Sequence, residues 1–228
     1  MRFHNVTLAY GARTVLEAVD FSIKPGEFVF FIGSSGVGKS TLTKAFSGAL
    51  APVKGSVLDH EGRDVYKLSS SELSQYRRKC GVVFQDYKLL RSRTVGENVA
   101  FAMEACGYPE KLVLQRVPEV LAQVGLLPRK DRFPHELSGG ELQRAAIARA
   151  LVHDPDVIVG DEPTGNLDPE NAASVMELFS QLHKKGKTVL VATHDEHLVA
   201  RENRRTLAFR DRRLVLDMPA GKAAYRFD

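Results

Sequence analysis

The sequence predicts an α/β protein with a largely parallel sheet, and three observations lead to this fold class. Short apolar runs rich in β-branched residues occur at residues 28–32, 82–84, 157–159 and 188–192, each bounded by loop residues. A run that is apolar at every position is typical of a strand covered on both faces, as in a parallel sheet. The first run leads directly into a glycine-rich loop and a helix-compatible stretch over residues 39–50. We therefore expect strand–loop–helix units.

The other elements follow from periodicity. Val19, Phe21 and Ile23 alternate with polar residues, which indicates a half-buried strand before the first buried one. Apolar residues at mixed spacings of three and four predict a helical insertion over about residues 95–152. After His194 we expect one more helix, then a hairpin over residues 206–216 and a frayed last dozen residues. We expect a single domain over residues 1–228, with a core at about 1–94 and 153–228 and a helical subdomain at about 95–152.

Composition excludes several classes of protein. The 228 residues include two cysteines without CxxC spacing, which gives neither a disulfide framework nor structural zinc. The longest unbroken apolar run, residues 28–32, is far shorter than the roughly 18 residues that a membrane helix needs. We expect a soluble protein of a reducing cytosol without a transmembrane segment. The formal charge of +4 is compatible with a nucleic acid or an anionic membrane and requires neither.

A phosphate-binding loop follows the first buried strand. Residues 33–40 fit the pattern GxxxxGK[ST] between a predicted strand and a predicted helix, the context that confirms such a match. The glycines let backbone N–H groups turn inward toward phosphate oxygens at a helix N-terminus. Lys39 would reach the β- and γ-phosphates, and Ser40 would place its hydroxyl on Mg²⁺. The predicted nucleotide-binding residues here are Gly33, Ser34, Ser35, Gly36, Val37, Gly38, Lys39, Ser40 and Thr41.

The strand at residues 157–159 is followed by two adjacent carboxylates, Asp161 and Glu162. Adjacent residues at a strand end point in different directions, so two roles are available. We predict that Asp161 holds the Mg²⁺ shell beside Ser40 and that Glu162 polarises the water that attacks the γ-phosphate. A solvated acidic turn is the structural alternative, and the phosphate loop upstream favours the catalytic interpretation.

A second glycine-rich helix start lies at residues 137–141. Ser138 and Glu141 fit the S-x-x-E capping box. The box does not explain Gly139 and Gly140, because a glycine in a helix costs roughly 0.5 to 1 kcal/mol relative to alanine. The pair indicates that something approaches this backbone closely, and the exposed N–H groups form an anion site. One nucleotide touches both helix starts only if the fold joins them, within the chain or across a dimer.

In this order the motifs resemble those of the ATP-binding cassette, or ABC, ATPases over nearly the whole chain. Residues 33–40 resemble the Walker A motif, residues 137–141 the signature, and residues 157–162 the Walker B motif with its catalytic glutamate. The single-residue matches are Gln85 with the Q-loop, Asp168 with the D-loop, His194 with the switch histidine, and Tyr10 with the aromatic that stacks on adenine.

The resemblance implies a fold and a reaction. The fold is a P-loop NTPase (RecA-like) core with an N-terminal antiparallel β-subdomain and an inserted α-helical subdomain. The reaction is hydrolysis of ATP with Mg²⁺ as cofactor. The resemblance implies that Gln85 joins Ser40 and Asp161 at the metal, and that His194 meets the γ-phosphate and the attacking water.

The resemblance also implies a head-to-tail homodimer with two ATP molecules at its interface. Four signature residues of one subunit would complete the site built on the partner's Lys39, and Asp168 would communicate across the interface. These signature residues are Ser138, Gly139, Gly140 and Glu141. ATP binding would close the dimer and hydrolysis would open it.

Within the family, residues 77–100 are most similar to the cell-division branch, the FtsE ATPases. The family docks its membrane partner after Gln85, so the resemblance implies an integral membrane partner of the FtsX type near residues 86–100. It further implies a peripheral protein on the cytoplasmic face of the bacterial inner membrane, at the division septum. Its role there would be the regulation of peptidoglycan hydrolases.

Other functions stay open. The ATPase subunit of a lipoprotein-release or macrolide-efflux exporter would share every catalytic residue, and residues 161–168 do not separate it from the cell-division branch. An ABC-type ATPase that acts on DNA would suit the positive charge, but the chain has no sustained heptads and no spare length for DNA-contacting domains. We therefore expect no nucleic-acid partner. A small-molecule kinase would leave residues 137–141 without a use.

Overall fold

The computed structural model describes residues 1–222, which contain nine strands and seven α-helices. The strands are β1 (Arg2–Tyr10), β2 (Arg13–Ser22), β3 (Phe28–Ile32), β4 (Lys54–Leu58), β5 (Cys80–Phe84), β6 (Val157–Asp161), β7 (Thr188–Thr193), β8 (Arg205–Arg210) and β9 (Arg213–Met218). The helices are α1 (Lys39–Phe46), α2 (Ser70–Arg78), α3 (Val95–Glu104), α4 (Glu110–Gln123), α5 (Gly139–Leu151), α6 (Pro169–Lys184) and α7 (Glu196–Glu202).

The strands form two sheets. A three-stranded antiparallel sheet has the order β2-β1-β4, and a six-stranded sheet has the order β5-β6-β7-β3-β8-β9. Strands β5, β6, β7, β3 and β8 are parallel, and β9 returns antiparallel beside β8. The predicted parallel α/β sheet is therefore confirmed, and so is the antiparallel β-subdomain that the resemblance implies.

Strand β3 shows why a run apolar at every position is buried. Its side chains alternate between the two faces of the sheet. Phe28, Phe30 and Ile32 pack into a core shared with α3, α4, α5 and α6. Val29 and Phe31 pack into a second core with α1 and the three-stranded sheet. A fully buried side chain of this kind contributes roughly 1.5 to 3 kcal/mol, so both faces stabilise the strand.

The strand order places four loops at one edge of the sheet. The parallel strands β5, β6, β7 and β3 are neighbours in that order, so their carboxyl ends lie side by side. The loop after β3 is the glycine-rich one, β5 leads into Gln85, β6 ends at Asp161, and β7 leads into His194. Ligands of open α/β sheets bind at this edge, so the topology brings the predicted chemistry together.

The insertion predicted over residues 95–152 contains α3, α4 and α5, and the predicted terminal hairpin is formed by β8 and β9. Four elements, β1, β4, α2 and α6, have no counterpart among the strands and helices predicted from the sequence. The fraying expected for the last dozen residues falls partly on residues 223–228, which lie outside the described residues. Over residues 1–222, no helix is both long and apolar enough to span a membrane.

Candidate nucleotide-binding site

A cleft of about 410 Å³ opens at the carboxyl edge of the parallel sheet. Its lining residues are Tyr10, Arg13, Val15, Ser35, Gly36, Gly38, Lys39, Ser40, Thr41, Gln85, Glu162 and His194. Ten of these were singled out from the sequence as nucleotide-binding or catalytic. Arg13 and Val15 on β2 were missed, although Arg13 pairs with Tyr10 across the turn between β1 and β2.

The phosphate loop wraps around the ammonium group of Lys39. Lys39 is 6% exposed, and its Nζ donates to the carbonyls of Gly33 at 2.8 Å and Ser34 at 3.3 Å. Gly38, the N-cap of α1, has a φ of 113°, in the left-handed region that favours glycine. A β-carbon at position 38 would also lie 2.8 Å from the Val15 side chain. Both features explain the glycine before Lys39.

Ser40 and Asp161 meet although they are 121 positions apart in the sequence. The Ser40 hydroxyl donates to Oδ1 of Asp161 at 2.9 Å. Burial raises the pKa of the Asp161 carboxyl, and the adjacent Glu162 raises it further, against the hydrogen bond from Ser40. A cation beside this carboxylate would offset its desolvation, and the donor set of hydroxyl and carboxylate oxygens is the one that Mg²⁺ prefers.

Glu162 links the phosphate loop to β7. Its Oε1 lies 3.3 Å from Nζ of Lys39, and its Oε2 lies 3.0 Å from Nδ1 of His194. The backbone of Glu162 has a φ of 50°, which costs an L-residue roughly 1 to 2 kcal/mol. Its N–H donates to the carbonyl of Ala192 on β7 at 2.8 Å. The left-handed turn therefore directs the carboxylate into the cleft instead of continuing the strand.

Gln85 lines the cleft and is tied to the segment after Glu162. Its Nε2 lies 3.4 Å from Oδ1 of Asn166, and Nδ2 of Asn166 donates to the carbonyl of Gln85 at 3.1 Å. Gln85 thus faces the cleft just after β5 ends, and its backbone carbonyl is held by Asn166, which precedes α6.

Tyr10 lies at the end of β1, at the mouth of the cleft. Its side chain is 46% exposed, and Nζ of Lys44 donates to its hydroxyl at 3.2 Å. The same ammonium lies 5.5 Å from the ring centroid. An exposed aromatic beside a phosphate loop provides a surface on which a base can stack.

The start of α5 has the predicted capping box. Oγ of Ser138 accepts from the N–H of Glu141 at 3.3 Å, and the Glu141 carboxylate accepts from the N–H of Ser138 at 2.9 Å. These hydrogen bonds, with one from Arg129, lower the pKa of Glu141. The N–H groups of Gly139 and Gly140 have no acceptor among the described residues. None of the four predicted signature residues lines the cleft of the same chain.

Asp168 is the N-cap of α6. Its carboxylate accepts from the backbone N–H of Asn171 at 2.9 Å and from Nδ2 of Asn171 at 2.6 Å. These two hydrogen bonds lower the pKa of Asp168, which is exposed. The side chain therefore has a structural role within the chain, beside any role across an interface.

A second groove, of about 350 Å³, lies between the segment after Gln85 and the helical insertion. Its lining residues are Asp86, Tyr87, Leu89, Arg91, Pro134, His135 and Leu142. Arg149 of α5 donates to the carbonyls of Tyr87 and Lys88, both of which have positive φ. Burial lowers the pKa of Arg149, so a desolvated cation holds this loop against α5. Arg149 was not singled out from the sequence.

The cleft combines a phosphate loop with two carboxylates at one edge of a parallel sheet. One carboxylate lies beside the serine of the loop, and the other is paired with lysine and histidine. This arrangement is that of a P-loop nucleotide-hydrolysing protein.

The family model described as "ABC transporter" matches residues 16–165. The cell division ATP-binding protein FtsE of Streptococcus pneumoniae is 44% identical over 212 residues, which cover 93% of this chain and 92% of the relative. The FtsE of Escherichia coli is 43% identical, covering 92% of this chain and 95% of the relative.

The solved structures agree with these relatives. A dimer of the ATP-binding cassette MJ0796, in a post-hydrolysis state bound to ADP and Pi, is similar with a TM-score of 0.84 at 35% identity. The match covers 95% of this chain and 97% of that one. The chain therefore belongs to the ABC transporter family and, within it, to the family of FtsE cell division ATP-binding proteins. It is an ATP-binding and ATP-hydrolysing cassette.

Proposed function

We propose that this chain is the ATPase subunit of a cell-division complex of the FtsE–FtsX type, working as a head-to-tail homodimer. The main support for the proposed dimer is a difference in position between the two glycine-rich helix starts. The loop before α1 lines the cleft, whereas no residue at the start of α5 does. The N–H groups of Gly139 and Gly140 have no acceptor among the described residues, as is also true of the first two N–H groups of α1. A partner subunit's γ-phosphate would supply that acceptor, and the related cassette MJ0796 is a dimer.

In the proposed reaction each side chain acts where it lies. Lys39 and the N–H groups of the loop hold the phosphates, and Glu162 orients the attacking water. His194 lies 3.0 Å from the Glu162 carboxylate and orients it. The same imidazole would contact the γ-phosphate. Ser138, Gly139 and Gly140 of the partner subunit would donate to the γ-phosphate from the opposite side.

The proposed cofactor is Mg²⁺, which would be held by Ser40, Asp161 and Gln85. Within residues 1–222, no cluster of three or more histidine, cysteine or acidic side chains forms a metal centre. That agrees with a cation that takes one carboxylate from the protein and most of its other ligands from phosphates and water, as Mg²⁺ usually does. When bound, it would neutralise charge on the β- and γ-phosphate oxygens.

The groove beside Tyr87 is the proposed docking surface for the membrane partner, with contacts over residues 86–100. It lies between the segment that leaves the cleft and the helical subdomain proposed for residues 95–152, so an occupant would contact both. We propose a peripheral location on the cytoplasmic face of the inner membrane, at the septum. Closure of the dimer would there regulate peptidoglycan hydrolases.

A pull-down tests the partner. Tagged protein carrying Glu162→Gln is incubated with ATP and gently solubilised membranes, and the co-purifying integral protein is identified. We expect a polytopic protein of the FtsX type. Recovery of a lipoprotein-release or macrolide-efflux permease instead would contradict the cell-division role and leave the ATP site unchanged.

A matched pair of charge reversals tests the docking surface in the same experiment. Arg91→Glu changes an exposed residue of the groove, and Lys67→Glu changes an exposed residue outside its lining. We expect Arg91→Glu to abolish recovery of the partner and Lys67→Glu to retain it. Equal recovery with both variants would place the partner elsewhere.

A further inference from the structure

The glycine at position 140 is explained within the chain by Asn171. A β-carbon at position 140 would lie 2.5 Å from Cγ of Asn171 and closer still to its Oδ1. Carbon atoms that are not bonded prefer separations of about 3.5 to 4.0 Å, so any side chain here would displace Asn171 or the helix start. Gly139 is different, because a β-carbon there would meet its nearest neighbours, the side chains of Leu167 and Tyr87, at an ordinary 3.5 Å.

Asn171 is itself held in place. Its Nδ2 donates to Oδ2 of Asp168 at 2.6 Å, and its backbone N–H donates to Oδ1 of the same carboxylate at 2.9 Å. Both partners belong to the first turn of α6, where Asp168 is the N-cap and Pro169 follows. The amide group thus has one fixed orientation, with its nitrogen toward Asp168 and its oxygen toward Gly140.

These contacts connect two parts of the molecule that the proposed function uses at the same interface. Asp168 lies at one end of the connection. At the other end lie the N–H groups at the start of α5, which have no acceptor within residues 1–222. The side chain of Leu167 lies beside Gly139, within 3.5 Å of where a β-carbon would stand. The start of α5 therefore cannot shift relative to Asp168 without breaking the fit between Gly140 and Asn171.

We propose that Asn171 is a positioning residue, which locks the start of α5 to Asp168 so that both reach the partner subunit's nucleotide as one unit. This inference rests on the proposed dimer. It assigns position 140 to packing within the chain, and leaves the N–H groups of Gly139 and Gly140 to the partner's phosphate. If position 140 were glycine only to let the nucleotide approach, replacing it would have the same effect with or without Asn171.

A double-mutant cycle tests the packing. Gly140→Ala, Asn171→Ala and the double variant are compared by thermal unfolding, with Ser174→Ala, an exposed position on α6, as the control. We expect Gly140→Ala to lower the Tm, and the double variant to regain the Tm of Asn171→Ala. An unchanged Tm in Gly140→Ala, or additive effects in the double variant, would overturn the inference.

Steady-state kinetics of the same variants tests the positioning. We expect Asn171→Ala to lower kcat about tenfold, with little change in the KM for ATP. A tenfold effect lies within the range of coupling energies found between residues in contact. The phosphate loop that binds ATP is untouched, while the hydrogen bond from Asn171 to Asp168 is lost and with it the alignment of the contacts made in the closed dimer. We expect the double variant to exceed Gly140→Ala in kcat. A normal kcat in Asn171→Ala, or no gain in the double variant, would contradict the positioning role.

Failure of the proposed dimer is recognised separately. Size-exclusion chromatography of Glu162→Gln with ATP measures dimer formation without any change at residues 140 or 171. If that variant stays monomeric, the proposed function is wrong, and the Tm cycle still decides whether Asn171 dictates the glycine. If it dimerises, we expect Asn171→Ala in the same background to weaken the dimer, and equal dimerisation would count against the coupling.

Discussion

The two glycine-rich helix starts of this chain look alike in sequence but differ in their surroundings. At the start of α1, Lys39 has three oxygen partners among the described residues, the carbonyls of Gly33 and Ser34 and the carboxylate of Glu162. At the start of α5, the capping box is complete, but no residue there lines the cleft. The first two N–H groups of each helix have no acceptor among the described residues. The first helix start lies in the cleft of its own chain and is called the enclosed site. The second lies outside that cleft and is called the open helix start.

The difference shows how one ATPase site can be divided between two copies of a chain. Helix N-termini attract phosphate through their free donors and their dipole. The first carries its own lysine, hydroxyl and carboxylates, so it can bind a nucleotide alone. The second has donors without a cation in its first turn, and Arg129 is paired with Glu141 at 3.0 Å. It can therefore add to a bound phosphate but has little means to bind one by itself.

The largest expected effect comes from Glu162→Gln, which alters the enclosed site alone. We expect kcat to fall roughly 10²- to 10⁴-fold, as for loss of a catalytic base, because an amide cannot orient the water as a carboxylate does. Nucleotide binding should survive, since the phosphate contacts of Lys39 remain. Phosphate release and equilibrium binding of an ATP analogue measure the two quantities.

The control for that variant is Lys39→Ala, which should impair nucleotide binding itself. The native Lys39 side chain makes the contacts to the loop and to Glu162 that organise the cleft. A Glu162→Gln protein that hydrolyses ATP at the normal rate would show that another group orients the water.

A smaller effect is expected at the open helix start. Ser138→Ala should lower kcat roughly 10- to 100-fold, because a hydrogen bond to a charged group contributes about 1.5 to 3 kcal/mol. The affinity of the isolated chain for ATP should not change, since Ser138 does not line its own cleft. ATPase rates and analogue binding are measured on the same preparations.

Ser69→Ala is the matched control, because Ser69 and Glu72 form the same capping box at the start of α2. Both variants lose a cap, at a cost of about 0.5 to 2 kcal/mol in stability. Only Ser138→Ala should lose kcat. Equal loss of rate in both variants would mean that capping, and not contact with a phosphate, explains Ser138.

Ten residues singled out from the sequence line one cleft, because the motifs that contain them are short and follow buried strands. The loop at residues 33–40 and the acidic pair after β6 are contiguous, and each follows a buried strand whose carboxyl end must lie at the same edge of the sheet. The contacts between them, such as Ser40 with Asp161, then follow from topology.

What the sequence does not predict depends on packing between distant segments. Asn171 meets Gly140, and Arg149 holds the carbonyls of Tyr87 and Lys88, yet neither residue belongs to a short pattern. The capping box at Ser138 was predicted and is confirmed, whereas the partner of Gly140 could not be identified without the fold. The missed helix α6 had a usable signal, because Asp168 before Pro169 fits an N-cap followed by proline at N1.

The smallest expected effect sharpens the comparison at the mouth of the enclosed site. Tyr10→Ala should raise the KM for ATP about 2- to 10-fold, the range for an aromatic stacking energy of about 0.5 to 1.5 kcal/mol, with kcat unchanged. Tyr10→Phe keeps the ring and loses the hydroxyl that accepts from Lys44. If the ring stacks on the base, the phenylalanine variant keeps a normal KM, as steady-state kinetics will show. If both variants lose affinity equally, Tyr10 acts by holding Lys44, and the enclosed site binds ATP through its phosphates without an aromatic surface for the base.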